Sequence, residues 1–293
     1  MSSPSVSPDP AKIQKFRDHL RQEWTGDKTV AGWRKWHAQI AAFTRGATES
    51  ILEASHLRPG MRVLDLASGV GDPALSIAAE VAPTGNVTAT DLGPDMISLA
   101  EELARKRGLT NIEFREANTE SLPFADGSYD VLTCRFGIMF FPDLAKALRE
   151  CFRVLKPGGR AAFVAWGIKE QPFFGTTAGI LLKYVQAPPP DPDAPNLFMF
   201  GERGRLRRAL EAAGFSNVHE EDRIVPGRWA GSLEEYWEQF TDIAAPFRPL
   251  IEQLTPEKKT AAVAEILAAL KKFWNGKELN MPLEIVIGTG THA

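Results

Sequence analysis

Hydrophobic and polar positions change period several times along the chain, and the changes mark its elements. Residues 11 to 56 read as helical stretches around the tryptophan-rich VAGWRKWHAQI. Arg58-Pro59-Gly60 interrupts them, and MRVLDLA follows as a strand. Asp72 is placed to cap the next helix, with Pro73 at its first position. NVTATDL, NIEFREA, YDVLTCR and RAAFVAW are short, β-rich runs and read as further strands. Between the first two of these, Met96, Leu99, Ala100 and Leu103 repeat at i, i+3, i+4 and i+7, which is one helical face. Pro94 opens that helix, and Arg105, Lys106, Arg107 and Gly108 end it with cations and a glycine stop. Leu144, Ala147, Leu148, Cys151, Phe152 and Leu155 mark another helix, capped by Asp143 and ended by KPGG.

The order β-α-β-α-β-β-α-β predicts a doubly wound, mainly parallel α/β sheet. Beyond Trp166 the pattern loosens. PFFGTTAGILLKYV reads as a helix, APPPDPDAP as a loop, and RGRLRRALEAAG as a helix stopped at Gly214. A strand near NVHEEDRIV, helical material from Leu233 to Trp274 and a final strand, LEIVIGTG, complete the chain. The expected organisation is an N-terminal helical cap (1–57), a ligand-binding core (58–167) and the rest of the sheet (168–293). The last part carries a helical lid insertion over about 232–275 and belongs to the same domain.

Composition changes this picture little. Of 293 residues 44% are hydrophobic and 24% charged, as in ordinary globular chains. A net charge of −3 gives no global reason to bind nucleic acid. Cys134 and Cys151 supply neither a disulfide framework nor metal spacing and read as buried, reduced thiols. MSSPSVSPDP reads as a frayed tail rather than a signal peptide, and no apolar run approaches ~18 residues. The expectation is a cytoplasmic protein without membrane insertion.

The chemistry concentrates in VLDLASGVGDPALSIA, Val63 to Ala78. Gly69-Val70-Gly71-Asp72-Pro73-Ala74 fits the dinucleotide fingerprint G-x-G-x-x-G/A, and Asp91 follows where a ribose-binding acid belongs. Two glycines alone also fit a plain structural turn. Two acids argue against a dinucleotide, whose pyrophosphate would sit on the helix N-terminus beside Asp65 and Asp72. Like charges a few ångströms apart repel by ~1 kcal/mol in water and by more in a cleft. S-adenosylmethionine reverses the sign, because its ammonium and sulfonium groups are cationic and it carries no phosphate. Asp91 holds a ribose under either reading.

With EANTESLPFADGSYDVL and RVLKPGGR at successive strand ends, the chain resembles the class I S-adenosylmethionine-dependent methyltransferases. It is similar in particular to the ubiquinone/menaquinone-biosynthesis C-methyltransferases, over about residues 58 to 167. Their loop typically reads D-L-A-G-G-T-G-D, against Asp65-Leu66-Ala67-Ser68-Gly69-Val70-Gly71-Asp72. Their Asn-Ala-Glu before Leu-Pro-Phe corresponds to Asn118-Thr119-Glu120 before Leu122-Pro123-Phe124.

The resemblance implies a seven-stranded, mainly parallel, Rossmann-like sheet with a terminal antiparallel strand and added helices at both ends. It also implies S-adenosyl-L-methionine as cofactor. Asp65 with Ala67, Ser68, Gly69, Val70 and Gly71 would hold the methionine end, and Asp91 the ribose. Leu92 and Met96 would lie against the adenine, and Asn118 and Thr119 would address its edge. Arg135 stands where such enzymes have a small polar cofactor contact, and its size and charge are a departure.

Methyl transfer is an in-line displacement, which requires alignment and exclusion of water more than a base. Trp33, Trp36 and His37 have helical spacing, so the two tryptophans would line the acceptor pocket with His37 as a base; the alternative is an amphipathic helix that packs its tryptophans into the core and leaves an incidental histidine. Phe136, Met139 and Phe140 suit an apolar or aromatic acceptor, or plain core filling. Trp229, Tyr236, Trp237 and Phe240 would face the same cavity, and the insertion serves a buttress or an oligomer contact as well as a lid. The expected function is methylation of a small acceptor, at carbon, oxygen or nitrogen, with no metal. An NAD(P)-dependent oxidoreductase and a non-catalytic S-adenosylmethionine-binding protein are the alternatives.

Overall fold

A computed structural model describes residues 9–186, 191 and 194–293. Most of the expected tail, and residues 187–190 and 192–193 of the proline loop, lie outside the described residues. Strands β1 (Arg62–Leu66), β2 (Asn86–Asp91), β3 (Ile112–Glu116), β4 (Tyr129–Arg135), β5 (Leu155–Trp166), β6 (Ser216–Trp229) and β7 (Leu279–Thr291) form one sheet. Its order is β3-β2-β1-β4-β5-β7-β6. Strands β1 to β5 are parallel, and β7 runs antiparallel to both β5 and β6. The chain order reverses between β1 and β4, and ligands of open α/β sheets bind beyond the carboxyl ends of strands at such a switch.

Helices α1 (Pro10–Thr25), α2 (Asp27–Phe43) and α3 (Arg45–Ser55) precede the sheet. Helices α4 (Ala74–Val81), α5 (Pro94–Lys106) and α6 (Leu144–Val154) connect its parallel strands. Asp143 caps α6 by accepting the Lys146 amide at 2.9 Å. Asp72 does not cap α4, whose first residue is Ala74. Its carboxylate accepts the Thr48 hydroxyl and pairs with Arg135 instead, a charge-assisted contact stronger than a neutral cap.

The segment expected as one helix after Trp166 splits into α7 (Pro172–Gly175) and α8 (Ala178–Leu181). Thr176 and Thr177 donate back to the carbonyls of Pro172 and Phe173 there, local bonds that compete with a continuous helix. Helix α9 (Arg205–Ala212) leads into β6. Between β6 and β7 stand α10 (Leu233–Ile243), α11 (Arg248–Glu252) and α12 (Pro256–Leu270). A reciprocal Ser232–Glu235 capping box starts α10.

The insertion is tied to the N-terminal helices. Trp36 Nε1 donates to Asp242 at 2.7 Å, and Arg248 donates to the Thr29 hydroxyl at 3.1 Å and the Asp242 carbonyl at 3.2 Å. Helices α2 and α10 therefore form one layer over the switch point. Both cysteines are free and buried, as expected. Among the described residues no helix is long and apolar enough to cross a membrane.

Candidate active site

The turns after β1 and β4 meet at the switch point. Asp65 is fully buried in β1. Its Oδ1 accepts the Thr133 hydroxyl at 2.5 Å, and its Oδ2 is buried without a partner. Burial pushes the Asp65 pKa up to about 7, although the Thr133 hydrogen bond and the Arg135 charge pull the other way.

Ala67 and Phe136 adopt φ of +51° and +60°, a left-handed conformation that strains L side chains. This brings the two turns into contact, and a Cβ on Gly137 would lie 2.5 Å from that of Ala67. Gly69 has φ +52°, yet a Cβ there would meet nothing within 4 Å, so it borders open space. The Asp91 carboxylate accepts the Gly69 and Gly93 amides, each at 2.9 Å. The two amides fix its orientation.

Above these turns lies a cavity of about 290 Å³. Every expected cofactor residue lines it except Asp65 and Gly71, which are buried beneath the loop. Asn118 uses its Oδ1 to accept the Glu120 amide at 2.9 Å, which leaves its NH2 as the outward donor. Arg135 reaches the wall already engaged, with Asp72 Oδ2 at 3.0 Å, the Asp72 carbonyl at 3.1 Å and the Thr44 hydroxyl at 2.9 Å. Only its Nε is unpartnered.

Of the expected acceptor residues Trp33, His37, Phe136, Met139 and Phe140 line the cavity, and Trp36 does not. Neighbouring helical positions point ~100° apart. The cavity face of α2 runs through residues 33, 37, 40, 41 and 43, while Trp36 packs on Trp229 with ring centroids 5.6 Å apart. Of Trp229, Tyr236, Trp237 and Phe240, Phe240 alone lines the cavity. Burial and the cationic ends of Lys106 and Arg107 lower the pKa of half-buried His37 below the ordinary histidine value.

Several wall residues escaped the sequence reading. Arg17, Leu20 and Trp24 come from one face of α1, a spacing that was available as a signal. Trp166 and Phe173 extend Phe136 into a stack with centroids 4.0 and 5.0 Å apart. Gln239, Ile243 and Phe247 close the top. Arg17 Nε, Trp24 Nε1 and Trp33 Nε1 are buried wall donors without partners. Three arginines seat the helical cap on the rim: Arg17 pairs with Glu120, Arg21 with Glu116 at 3.0 Å and Arg34 with Glu102 at 2.8 Å. Among the described residues no cluster of three or more His, Cys, Asp or Glu is arranged to hold a metal ion.

Residues 39–181 match the model of the ubiE/COQ5 methyltransferase family. The chain is 34% identical over 178 residues to the ubiquinone/menaquinone biosynthesis C-methyltransferase UbiE of Serratia proteamaculans, covering 57% of this chain and 71% of that protein. A shorter match to UbiE of Brucella abortus is 48% identical over 104 residues, 35% of this chain and 39% of the other. Among solved structures, the YcgJ protein from Bacillus subtilis shares the fold with a TM-score of 0.55 and 22% identity, over 84% of this chain and 98% of that one.

Proposed function

Because this chain belongs to the ubiE/COQ5 methyltransferase family, we propose that its cavity carries S-adenosylmethionine-dependent methylation of a small apolar or aromatic acceptor, at carbon as in the relatives' name. The observation that carries this reading is the pairing of acids and open space at one switch point. Asp65 has an unpartnered oxygen beneath the loop, Gly69 borders the cavity, and Asp91 is oriented by two amides. This arrangement suits a cationic amino-acid end followed by a ribose. When bound, S-adenosylmethionine supplies an electrophilic methyl group on its sulfonium.

In this reading Asp65 and residues 67–71 hold the methionine end, and Asp91 accepts from the ribose hydroxyls. Leu92 and Met96 flank the adenine, with the Asn118 amide and Thr119 at its edge. The acceptor lies against the Phe136–Trp166–Phe173 stack, beside Trp33, Met139 and Phe140. Helices α1, α2 and α10 act as the lid that excludes water. His37 is the base, because Asp72, Asp91 and Glu120 on the same wall are engaged while no hydrogen bond occupies its ring among the described residues.

Calorimetry with S-adenosylhomocysteine tests the reading. Saturable binding that Asp91→Ala weakens at least about tenfold is expected from lost hydrogen bonds to a charged group. No binding up to millimolar ligand overturns it.

A further inference from the structure

Among the described residues the acceptor side of the cavity carries one side-chain amide without a partner, in addition to the bare Trp33 Nε1 and the His37 ring. Gln239 of α10 is 7% exposed and lines the cavity, and no hydrogen bond engages its amide among the described residues. Its wall neighbours are Phe240 and Ile243 on the same helix, with Phe43 and Phe247 nearby. Its carboxamide, which is not among the fully buried unpartnered groups, opens on the cavity with two donors and an acceptor, and a ligand that covers it without a hydrogen bond incurs the desolvation of the group. An apolar wall with a single open amide is therefore built to receive one polar group and to reject its absence.

Two features fix this amide in place. The capping box at Ser232 anchors the start of α10, and Asp242, three residues beyond Gln239, is held by Trp36. The charged groups of the wall do not compete for the same role. Arg135 is neutralised by Asp72 and Arg17 by Glu120, so the acceptor side offers no unpaired ion to a charged substrate. Gln239 also lies outside residues 39–181, the part that matches the family model.

We propose that Gln239 is the specificity-determining residue of the acceptor pocket, and that it hydrogen-bonds a neutral hydroxyl or carbonyl group on an otherwise apolar ring. The inference rests on the cavity holding cofactor and acceptor together, as argued above. It assigns Gln239 to acceptor selection and gives it no part in cofactor binding.

The test uses the full-length protein loaded with S-adenosylhomocysteine and two probes of nearly equal shape, 2-naphthol and 2-methylnaphthalene. Their affinities are measured by quenching of the cavity tryptophans for wild type, Gln239→Leu and Gln239→Met, the second substitution covering a folding failure of the first. The wild type is expected to prefer 2-naphthol about tenfold, the scale of one net hydrogen bond. In both variants the preference should shrink to within about twofold, with S-adenosylhomocysteine affinity unchanged. Equal binding of the probes by wild type, a preference retained in the variants, or neither probe binding overturns the proposal. A parallel loss of S-adenosylhomocysteine affinity in the variants overturns it too, by making Gln239 structural. Failure of the wild type to bind S-adenosylhomocysteine sinks the functional reading itself, so the two failures are distinct.

Discussion

The Thr133 hydroxyl binds one oxygen of Asp65 across the β1–β4 pair and leaves the other buried and bare. The pKa of Asp65 stands at about 7, against an ordinary value near 4. Between those values the folded protein holds a proton that the unfolded chain has released, so Asp65 lowers stability as pH rises through that window. Asp65→Asn should therefore raise the melting temperature of the unliganded protein at pH 8, with the gain fading toward pH 4. At pH 8 the same substitution should weaken S-adenosylhomocysteine about tenfold or more, the scale of a hydrogen bond to a charged group. Wild-type affinity should decline below pH 7. Calorimetry and melts across pH check all three, and unaltered affinity in the variant would remove Asp65 from the ammonium site.

Arg135 and Asp72 form a mostly buried pair, with side chains 8% and 21% exposed. Removing one partner strands the other charge, which costs about 3–5 kcal/mol where burial is complete. Arg135→Ala should lose roughly 2–4 kcal/mol in urea unfolding, given the partial exposure of Asp72. Arg135→Met with Asp72→Asn should lose clearly less. Equal losses would mean that packing of the arginine stem, rather than the stranded carboxylate, sets the cost.

What the sequence revealed and what it hid follow from how locally each feature is encoded. Helix α5 has its start, apolar face and cationic end within one continuous window, and it runs from Pro94 to Lys106 as read. The loop after β1 is likewise continuous, so residues 67–70 reach the cavity together. Asp72 misled because its partner lies 63 residues away in sequence. Arg135 cancels its charge, so the electrostatic case against a pyrophosphate rests chiefly on Asp65. The acceptor wall collects side chains from α1, α2, the end of β5, α7 and α10. Spacing on α2 groups Trp33, Trp36 and His37, but the packing of α10 decides that the face divides between Trp36 and His37.

His37 is the wall group with no hydrogen bond to its ring, and its pKa lies below the ordinary histidine value. As a general base it would contribute about 10²–10⁴-fold. His37→Ala should lower kcat by at least about a hundredfold and leave S-adenosylhomocysteine affinity within about threefold. The acid limb of the wild-type pH–rate profile should fall below the ordinary histidine pKa and vanish in the variant. Near-normal kcat would make His37 part of the rim only. The charges that bear on its ring come from α5 and from Arg34, which is the placement that outcome would fit.

The seam between cap and core bears on how ligand enters. Glu120 is 2% exposed, follows the Asn118–Thr119 pair and accepts the Asp143 amide, while its other oxygen holds Arg17 of α1. Opening α1 therefore strands a buried carboxylate, whereas parting the exposed Arg21–Glu116 pair costs little. If α1 covers the adenine end, Arg17→Ala should speed S-adenosylhomocysteine release about tenfold, and Arg21→Ala by no more than about twofold. Association should change little in either variant, because the binding groups themselves are intact. Salt should accelerate release from wild type more than from Arg17→Ala, since the variant lacks the ion pair that salt weakens. Stopped-flow displacement measures each rate, and equal release from wild type and Arg17→Ala would place the route of exchange somewhere other than beneath α1.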